Sequence, residues 1–385
     1  MKIITICSNE YTAPPPEDAI HASLYISSLL AEGLAKKGHR VVFVCAQGST
    51  VKTEKVFSTT KPFFEVVTKK EWDELQDMRL RAQLIFPFEV DLYLKLLEAI
   101  QSERFDVVHF HATPVFMGLP FGKRTGLPNV FTLHGGSTPL ELRVTERFNE
   151  PNNYFISISD HQRKEFPRLP FFRTIYHGLP LENFAFEPKG GDGMVFCGRL
   201  IRAKGVLEAV QVAKRLGRRL LVSGDIRGSQ KNYFDEEVMP EIKTSAGLVK
   251  FVGLIERLKI SQFYRRGKLF LFPLQWEEPF GLILIESMAS GTPVVAFARG
   301  AVPEVIKDGQ TGFLVNPSKA DIRGNWQIKK TGLEGIMEAV ERIYHLPEEE
   351  YLQMRRACRE HVEKNFSIEK MVERYEEVFK EVSKG

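Results

Sequence analysis

Residues 277–295, EEPFGLILIESMASGTPVV, place two acids, Glu278 and Glu286, on either side of an apolar run that opens with Phe280-Gly281. The pattern predicts a helix over 280–290, ended by Gly291, with Pro293 starting the next strand. Phe280 and Gly281 then sit at its N-terminus, where free backbone N–H groups and the positive end of the dipole attract an anion or hydroxyl oxygens, and Gly281 lets a ligand come close. Glu286 falls roughly 7.5 Å further along the axis. A carboxylate that near a phosphate would repel it, so hydroxyls are its better partners. Two carboxylates spaced along one ligand suit a molecule with two sugars, such as a nucleotide sugar. Leu282, Ile283, Leu284, Ile285, Met288 and Ala289 surround Glu286 with apolar neighbours, and a buried acid needs a partner. Glu278 on its own fits a functional acid better than a helix N-terminal acid, its alternative reading.

Residues 198–205, GRLIRAKG, supply cations. They follow the strand-like MVFC, so Arg199 and Lys204 leave a strand end and the start of a helix together, where a parallel sheet presents groups to a ligand. Two cations there suit a diphosphate, with charge-assisted hydrogen bonds of roughly 1.5–3 kcal/mol each. They would also stabilise charge that builds on the anion as a bond to it breaks. On these residues alone, a solvated loop explains the pair as well.

The elements that must position these groups alternate from the first residue. KIITICS leads to a periodic helix over 19–37 that stops at Gly38, and RVVFVCA follows as a strand. FDVVHFH, NVFTLHG, YFISIS and RTIYHG continue the series of short buried strands, so the first half reads as a doubly wound parallel sheet. The pattern restarts after the linker-like 186–193, FEPKGGDG. There GMVFCGR, RLLVSG, LVKFVG, KLFLFP, PVVAFA and GFLV alternate with helices such as 204–216 and 256–265. The expected fold is α/β, two Rossmann-like domains facing across a central cleft, with ligands at the carboxyl ends of the strands. The expected boundaries are 1–182, 183–366, and a terminal helix over 367–385 crossing back to the first domain. Residues 58–100 read as helices inserted on the first half.

Bulk properties exclude other classes. At 385 residues, two domains are the first expectation. With 43% hydrophobic and 26% charged residues the chain is neither disordered nor polybasic, and a net charge of +4 argues against nucleic-acid binding. The four cysteines, Cys7, Cys45, Cys197 and Cys358, show no CxxC or Cys/His spacing and read as small core residues. MKIITICSN opens straight into a strand rather than a signal peptide, and no segment approaches ~20 apolar residues. A cytoplasmic protein is expected, with membrane contact, if any, peripheral.

Taken with KKGHRVVFV, DVVHFH, FTLHG, ISISD, YHGLPLENF and AVPEVIKDGQTGFLV, these motifs make the chain resemble the family GT4 retaining glycosyltransferases of GT-B fold, over nearly its whole length. The resemblance implies that Glu286 binds the ribose hydroxyls, Glu278 the transferred sugar, and the backbone of Phe280, Gly281 and Leu282 the sugar hydroxyls and nearby phosphate. Arg199 and Lys204 would hold the diphosphate. His134, ending FTLHG, resembles the family's active-site histidine beside the reacting centre. His109 and His111 match a family pattern and alternate along a strand, so at most one of them is expected to face the cleft, His111 being the favoured one. Ser159 and Asp160 resemble a post-strand serine turn that caps a helix or touches substrate. Where the family carries a Gly-Gly pair after the first strand, this chain has IHAS and a proline-rich loop, which makes His21 a candidate substitute ligand. It resembles a branch with proline-rich first loops.

The implied reaction moves a hexosyl unit from a nucleotide-diphosphate sugar, a UDP-sugar foremost, to a hydroxyl on a glycan, lipid or small molecule. With the leaving group neutralised, no general acid is needed, and the acceptor attacks from the face the leaving group departs. No DxD motif is present, so neither a metal nor a cofactor is expected. A GT-B epimerase or phosphorylase and a silent sugar-binding member stay open, whereas the lack of GxGxxG disfavours a dinucleotide oxidoreductase. The acceptor is expected near 14–21 and 58–100, where Lys69, Lys70, Trp72 and Arg79 could suit a glycan or anionic lipid, although a solvated helix explains them better.

Overall fold

The computed structural model describes residues 1–75, 78–111, 117–136, 138–226, 228 and 231–384. The chain divides into two compact units, Met1–Gly178 with Ile368–Gly385, and Leu179–Ser367.

The first unit is built on seven parallel strands: β1 (Lys2–Ile6), β2 (Arg40–Cys45), β3 (Glu54–Phe57), β4 (Val107–Phe110), β5 (Asn129–Thr132), β6 (Asn153–Ser157) and β7 (Phe171–Thr174). Their order is β3-β2-β1-β4-β5-β6-β7, so the direction of winding switches between β1 and β4. The inner strands are almost wholly buried, as a sheet covered on both sides requires. Register is fixed by aromatic side chains. Phe110 lies opposite Phe131 and Phe131 opposite Phe155, with ring centroids 4.6 and 5.5 Å apart. A one-residue slip would turn that ladder to the other face.

Residues 58–100 are largely helical, as expected: Phe63–Val66, Lys69–Glu74 and Met78–Ser102, the last containing Pro87. Within this insertion Trp72 packs edge-on against Phe63 and under the Arg81 guanidinium. Lys70 and Arg79 are exposed, and the side chain of Lys69 lies outside the described residues. The terminal helix Ile368–Val382 packs in this unit, its Val372 against Gly33 and its Glu376 bonded to Lys37 and His39.

The second unit holds six parallel strands: β8 (Gly193–Cys197), β9 (Leu220–Ser223), β10 (Val249–Phe251), β11 (Gly267–Phe272), β12 (Val294–Phe297) and β13 (Gly312–Val315). Their order, β10-β9-β8-β11-β12-β13, switches between β8 and β11. The helices begin later than periodicity alone suggests. Val206–Leu216 is preceded by a 3-10 turn at Arg202–Lys204, and Leu282–Ala289 starts only after Gly281. Both delays occur at glycines with positive φ, +77° at Gly205 and +95° at Gly281, which break the helix before it reaches the strand end. All four cysteines are free and buried.

Candidate active site

In the second unit, the predicted groups follow the two strands that flank the switch point, where open α/β sheets bind ligands. Arg199 and Lys204 come after β8; Glu278, Phe280 and Gly281 come after β11. Gly205 makes this possible. A Cβ there would lie 2.0 Å from the Pro273 carbonyl oxygen, so only glycine lets the Lys204 turn press onto the end of β11, where Gln275 N–H also donates to the Ala203 carbonyl.

Lys204 and Glu278 are thereby brought into contact: Nζ donates to Oε2 at 2.5 Å, and each residue is only 7% exposed. Trp276 Nε1–H donates to the same oxygen at 3.1 Å, and its ring lies 4.6 Å from the Lys204 ammonium. Burial depresses the Lys204 pKa, with Arg199 adding to the effect and Glu278 opposing it. Arg199 is therefore close enough for its charge to be felt by Lys204.

The neighbouring acid, Glu277, has another task. It accepts from Gly300 N–H at 2.6 Å and pairs with Arg299 and Arg323 at 3.3 and 2.9 Å, which clamps the loop beneath Glu278. Gly300 must be glycine, because a Cβ would lie 2.2 Å from Glu278 N. Phe280 is buried edge-on against Phe366. Gly281 starts the helix Leu282–Ala289 with no side chain capping it; Leu284 N–H donates to the Gly281 carbonyl at 3.0 Å, so the N–H groups that this end leaves without an intrahelical acceptor are those of Leu282 and Ile283.

Glu286 stands apart from the Lys204–Glu278 pair. Its Oε2 accepts from Tyr264 Oη–H at 3.1 Å, and burial pushes its pKa up to about 7 against the lowering effects of Tyr264 and Arg257. Its charge helps raise the Cys197 thiol at the end of β8, which places Glu286 beside that strand end. Tyr264 escaped the sequence reading; its signal was a phenol in IERLKISQFYRR at the position where a helix turns onto β11.

In the first unit, His109 at the end of β4 and His111 just beyond it do not point to opposite sides, contrary to expectation. Residues two apart share a face of a strand, and the rings lie 4.0 Å apart with His109 Nδ1 and His111 Nε2 at 3.2 Å. His111 Nδ1 lies 2.8 Å from His134 Nε2, so these two predicted residues are brought together. His134 follows β5 on a loop held by Gln162, whose amide donates to the carbonyls of Leu133 and Gly135 at 3.0 and 2.8 Å. Ser159 caps the helix Asp160–Glu165 by accepting from Gln162 N–H, and Asp160 accepts from Thr174, so both have structural work. His134 Nδ1 is buried without a hydrogen-bond partner among the described residues.

His21 is the N-cap of the helix Ala22–Lys36: its Nδ1 accepts from Leu24 N–H at 3.2 Å, leaving Nε2 to face Glu10 at 3.5 Å. Glu89, which the sequence reading passed over inside an apolar helix, is 4% exposed and accepts from Ser8 Oγ–H and Asn9 N–H, both at 3.0 Å, just beyond β1. Burial raises its pKa to about 7.

Comparison with known proteins agrees with this architecture. The fold matches sucrose-phosphate synthase from Thermosynechococcus elongatus with a TM-score of 0.74, at 18% identity over 99% of both chains. It also matches Anabaena HepE, solved in complex with UDP-glucose, with a TM-score of 0.68 at 16% identity over 99% of this chain and 100% of that one. The fold is thus GT-B. Residues 28–183 match the model described as Glycosyltransferase Family 4 and residues 182–325 the one described as Glycosyl transferases group 1. The chain belongs to the family 4 glycosyltransferases. Among curated relatives it is 25% identical to N-acetyl-alpha-D-glucosaminyl L-malate synthase of Bacillus anthracis, over 94% of this chain and 95% of that protein. It is 26% identical to glycogen synthase of Mycobacterium tuberculosis over 59% and 60%. No helix among the described residues is long and apolar enough to cross a membrane.

Proposed function

We propose that this glycosyltransferase moves a hexosyl unit from a nucleoside diphosphate sugar, a UDP-sugar foremost, to a hydroxyl acceptor with retention at the anomeric carbon and without a metal ion. The observation that carries the reading is the buried Lys204–Glu278 contact, with Arg199 in electrostatic range, at the switch point of the second sheet. A buried lysine with depressed proton affinity and a carboxylate already in contact with it form a charge pair that a ligand can enter. The diphosphate takes Lys204 and Arg199, while sugar hydroxyls replace the ammonium as donors to Glu278. The backbone N–H groups after Phe280 and Gly281 bind the sugar hydroxyls and the nearby phosphate, and Glu286 accepts from the ribose diol.

As the anomeric C–O bond breaks, its electron pair goes to the leaving diphosphate, whose growing charge Lys204 and Arg199 stabilise. The acceptor oxygen bonds to the anomeric carbon from the departing face, and its proton passes to a diphosphate oxygen. No protein acid is required, which separates Glu278 and Glu286 from a glycosidase pair. His134 contacts the donor sugar. His21 and His111 serve the acceptor or phosphate side, His111 through His134 and His21 through its Nε2. The acceptor is a glycan, a lipid or a small molecule.

A thermal-shift screen of nucleotide sugars tests the donor, since a ligand at 100 times its Kd should add about 2.7 kcal/mol of stability. Proton NMR of the product reads the anomeric configuration. Inversion, or activity that needs a divalent ion, would overturn the mechanism. Conversion of donor with no acceptor present would point to an epimerase instead.

A further inference from the structure

Five side chains of the first unit form one unbroken hydrogen-bonded path. Tyr375 Oη lies 2.8 Å from Thr132 Oγ1, which lies 2.9 Å from His109 Nε2; His109 Nδ1 then meets His111 Nε2, and His111 Nδ1 meets His134 Nε2. With the rings neutral, each ring and each hydroxyl contributes one proton, which gives five protons for four bonds. The fifth sits at an end of the path or on Thr132, whose hydroxyl can accept from both neighbours and keep its own proton outside the path. One end is the Tyr375 hydroxyl, 0% exposed, whose only partner among the described residues is Thr132. The other is His134 Nδ1.

These placements are unequal. If the surplus proton stays on Tyr375 or on Thr132, each 0% exposed, that O–H has no acceptor among the described residues, and His134 Nδ1 is left as an unpaired lone pair as well. If every bond runs from Tyr375 toward His134, all internal groups are satisfied and one donor, His134 Nδ1–H, remains open. Leaving a buried hydroxyl unpaired costs more than turning the path around.

We propose that Tyr375, Thr132, His109 and His111 are positioning residues that hold His134 in its Nδ1–H tautomer, so that it meets the substrate as a hydrogen-bond donor to an oxygen. Neutral rings are what the surroundings impose. Burial takes His109 down to about 3 and His111 and His134 well below the usual imidazole range, where the neighbouring histidines push further in the same direction. His177 stacks on His134 at 5.2 Å and Gln162 fixes its loop, so the direction of the open N–H is set by packing as well as by bonding. The substrate role rests on the proposed glycosyl transfer; the tautomer does not.

Long-range proton–nitrogen NMR on the full chain labelled with ¹⁵N-histidine, with His134→Asn used for assignment, reads the tautomer without turnover. The expected spectrum shows Nδ1 of His134 protonated and Nε2 unprotonated; the reverse overturns the proposal. Thr132→Val removes the hydroxyl that orients the path and should give a mixture of tautomers, with kcat falling roughly tenfold at unchanged donor KM. Thr132→Ser should restore both readings. A merely structural role would lower the melting temperature of Thr132→Val without moving the tautomer, and an unchanged kcat with a mixed tautomer would remove the substrate contact. Adding UDP and then UDP-glucose separates the oxygens: a shift at Nδ1 with both points to phosphate, a shift with UDP-glucose alone points to the sugar, and no shift with either overturns the contact. Failure of sugar transfer itself would appear in the product assay and leave the tautomer result standing.

Discussion

Each unit gathers reactive side chains at or beside the switch point of its own sheet, yet the two do so with opposite electrostatics. In the second, a buried ammonium and a buried carboxylate face each other at 2.5 Å with a guanidinium in range. In the first, three histidines are stripped of charge by burial and linked ring to ring. Buried charge is costly unless it is paired, and it becomes useful when an anion arrives to share it. Neutral rings cannot neutralise a leaving group, but they fix which atom carries a proton. On the proposed reaction, stabilising charge and directing a single hydrogen bond fall to different units.

The strongest way to break this contrast is to remove the charge and keep the shape. Lys204→Met leaves the alkyl stem against the Trp276 and Phe272 rings and should lower kcat by about a hundredfold or more, the loss expected for a contact worth ~2.7–4 kcal/mol to the transition state. It should also destabilise the unit, because Glu278 is left buried without its cation. Adding Glu278→Gln should then recover the melting temperature without recovering turnover. If stability and turnover return together, the pair is a structural ion pair and Lys204 does not touch the diphosphate.

Glu286 offers a smaller effect and a sign that can be checked. Its folded pKa of about 7 lies above the ordinary 4.5, so the fold favours the protonated form. The stability this group contributes is complete below pH ~4.5 and is lost as pH rises toward 7. Glu286→Gln should therefore raise the melting temperature, more at pH 8 than at pH 5, while raising donor KM roughly tenfold through loss of ground-state binding. In the wild type the ribose prefers the ionised carboxylate, so the donor should bind more tightly at pH 8 than at pH 6, and the variant should lose that dependence. A donor KM that ignores both substitution and pH would leave Glu286 as an unexplained buried acid.

Much of this organisation was legible in the chain. Apolar runs such as RVVFVC and KLFLF could only be strands buried on both faces, and the restart after FEPKGGDG marked a second sheet. β3, the short EKVF at the edge, was not legible, because half-exposed residues carry no buried-strand signal. Arg199, Lys204, Glu278 and Glu286 stood out as charges at the ends of apolar segments. What pairs with them did not, since Lys204 and Glu278 are 74 positions apart and meet only because Gly205 lets one strand end close on another. The His109–His111 contact could have been read from period-two geometry alone. Thr132 and Tyr375 could not, because an ordinary hydroxyl gains its meaning from the terminal helix packing beside β5.

The smallest substitution probes how far the charged site depends on direction. Trp276→Phe keeps an aromatic ring near the Lys204 ammonium but removes the N–H that donates to Glu278 Oε2 at 3.1 Å. One hydrogen bond to a carboxylate is lost, and the attraction between ammonium and carboxylate, which has no preferred hydrogen, remains. Donor KM should rise only about three- to tenfold with kcat nearly unchanged, as a net loss near 1 kcal/mol implies. The histidine path has no such reserve, since one missing hydroxyl at Thr132 is enough to let the proton order turn around. A Trp276→Phe variant as damaged in kcat as Lys204→Met would mean that the indole N–H itself reaches the substrate, and that the second unit also works through a directed neutral donor.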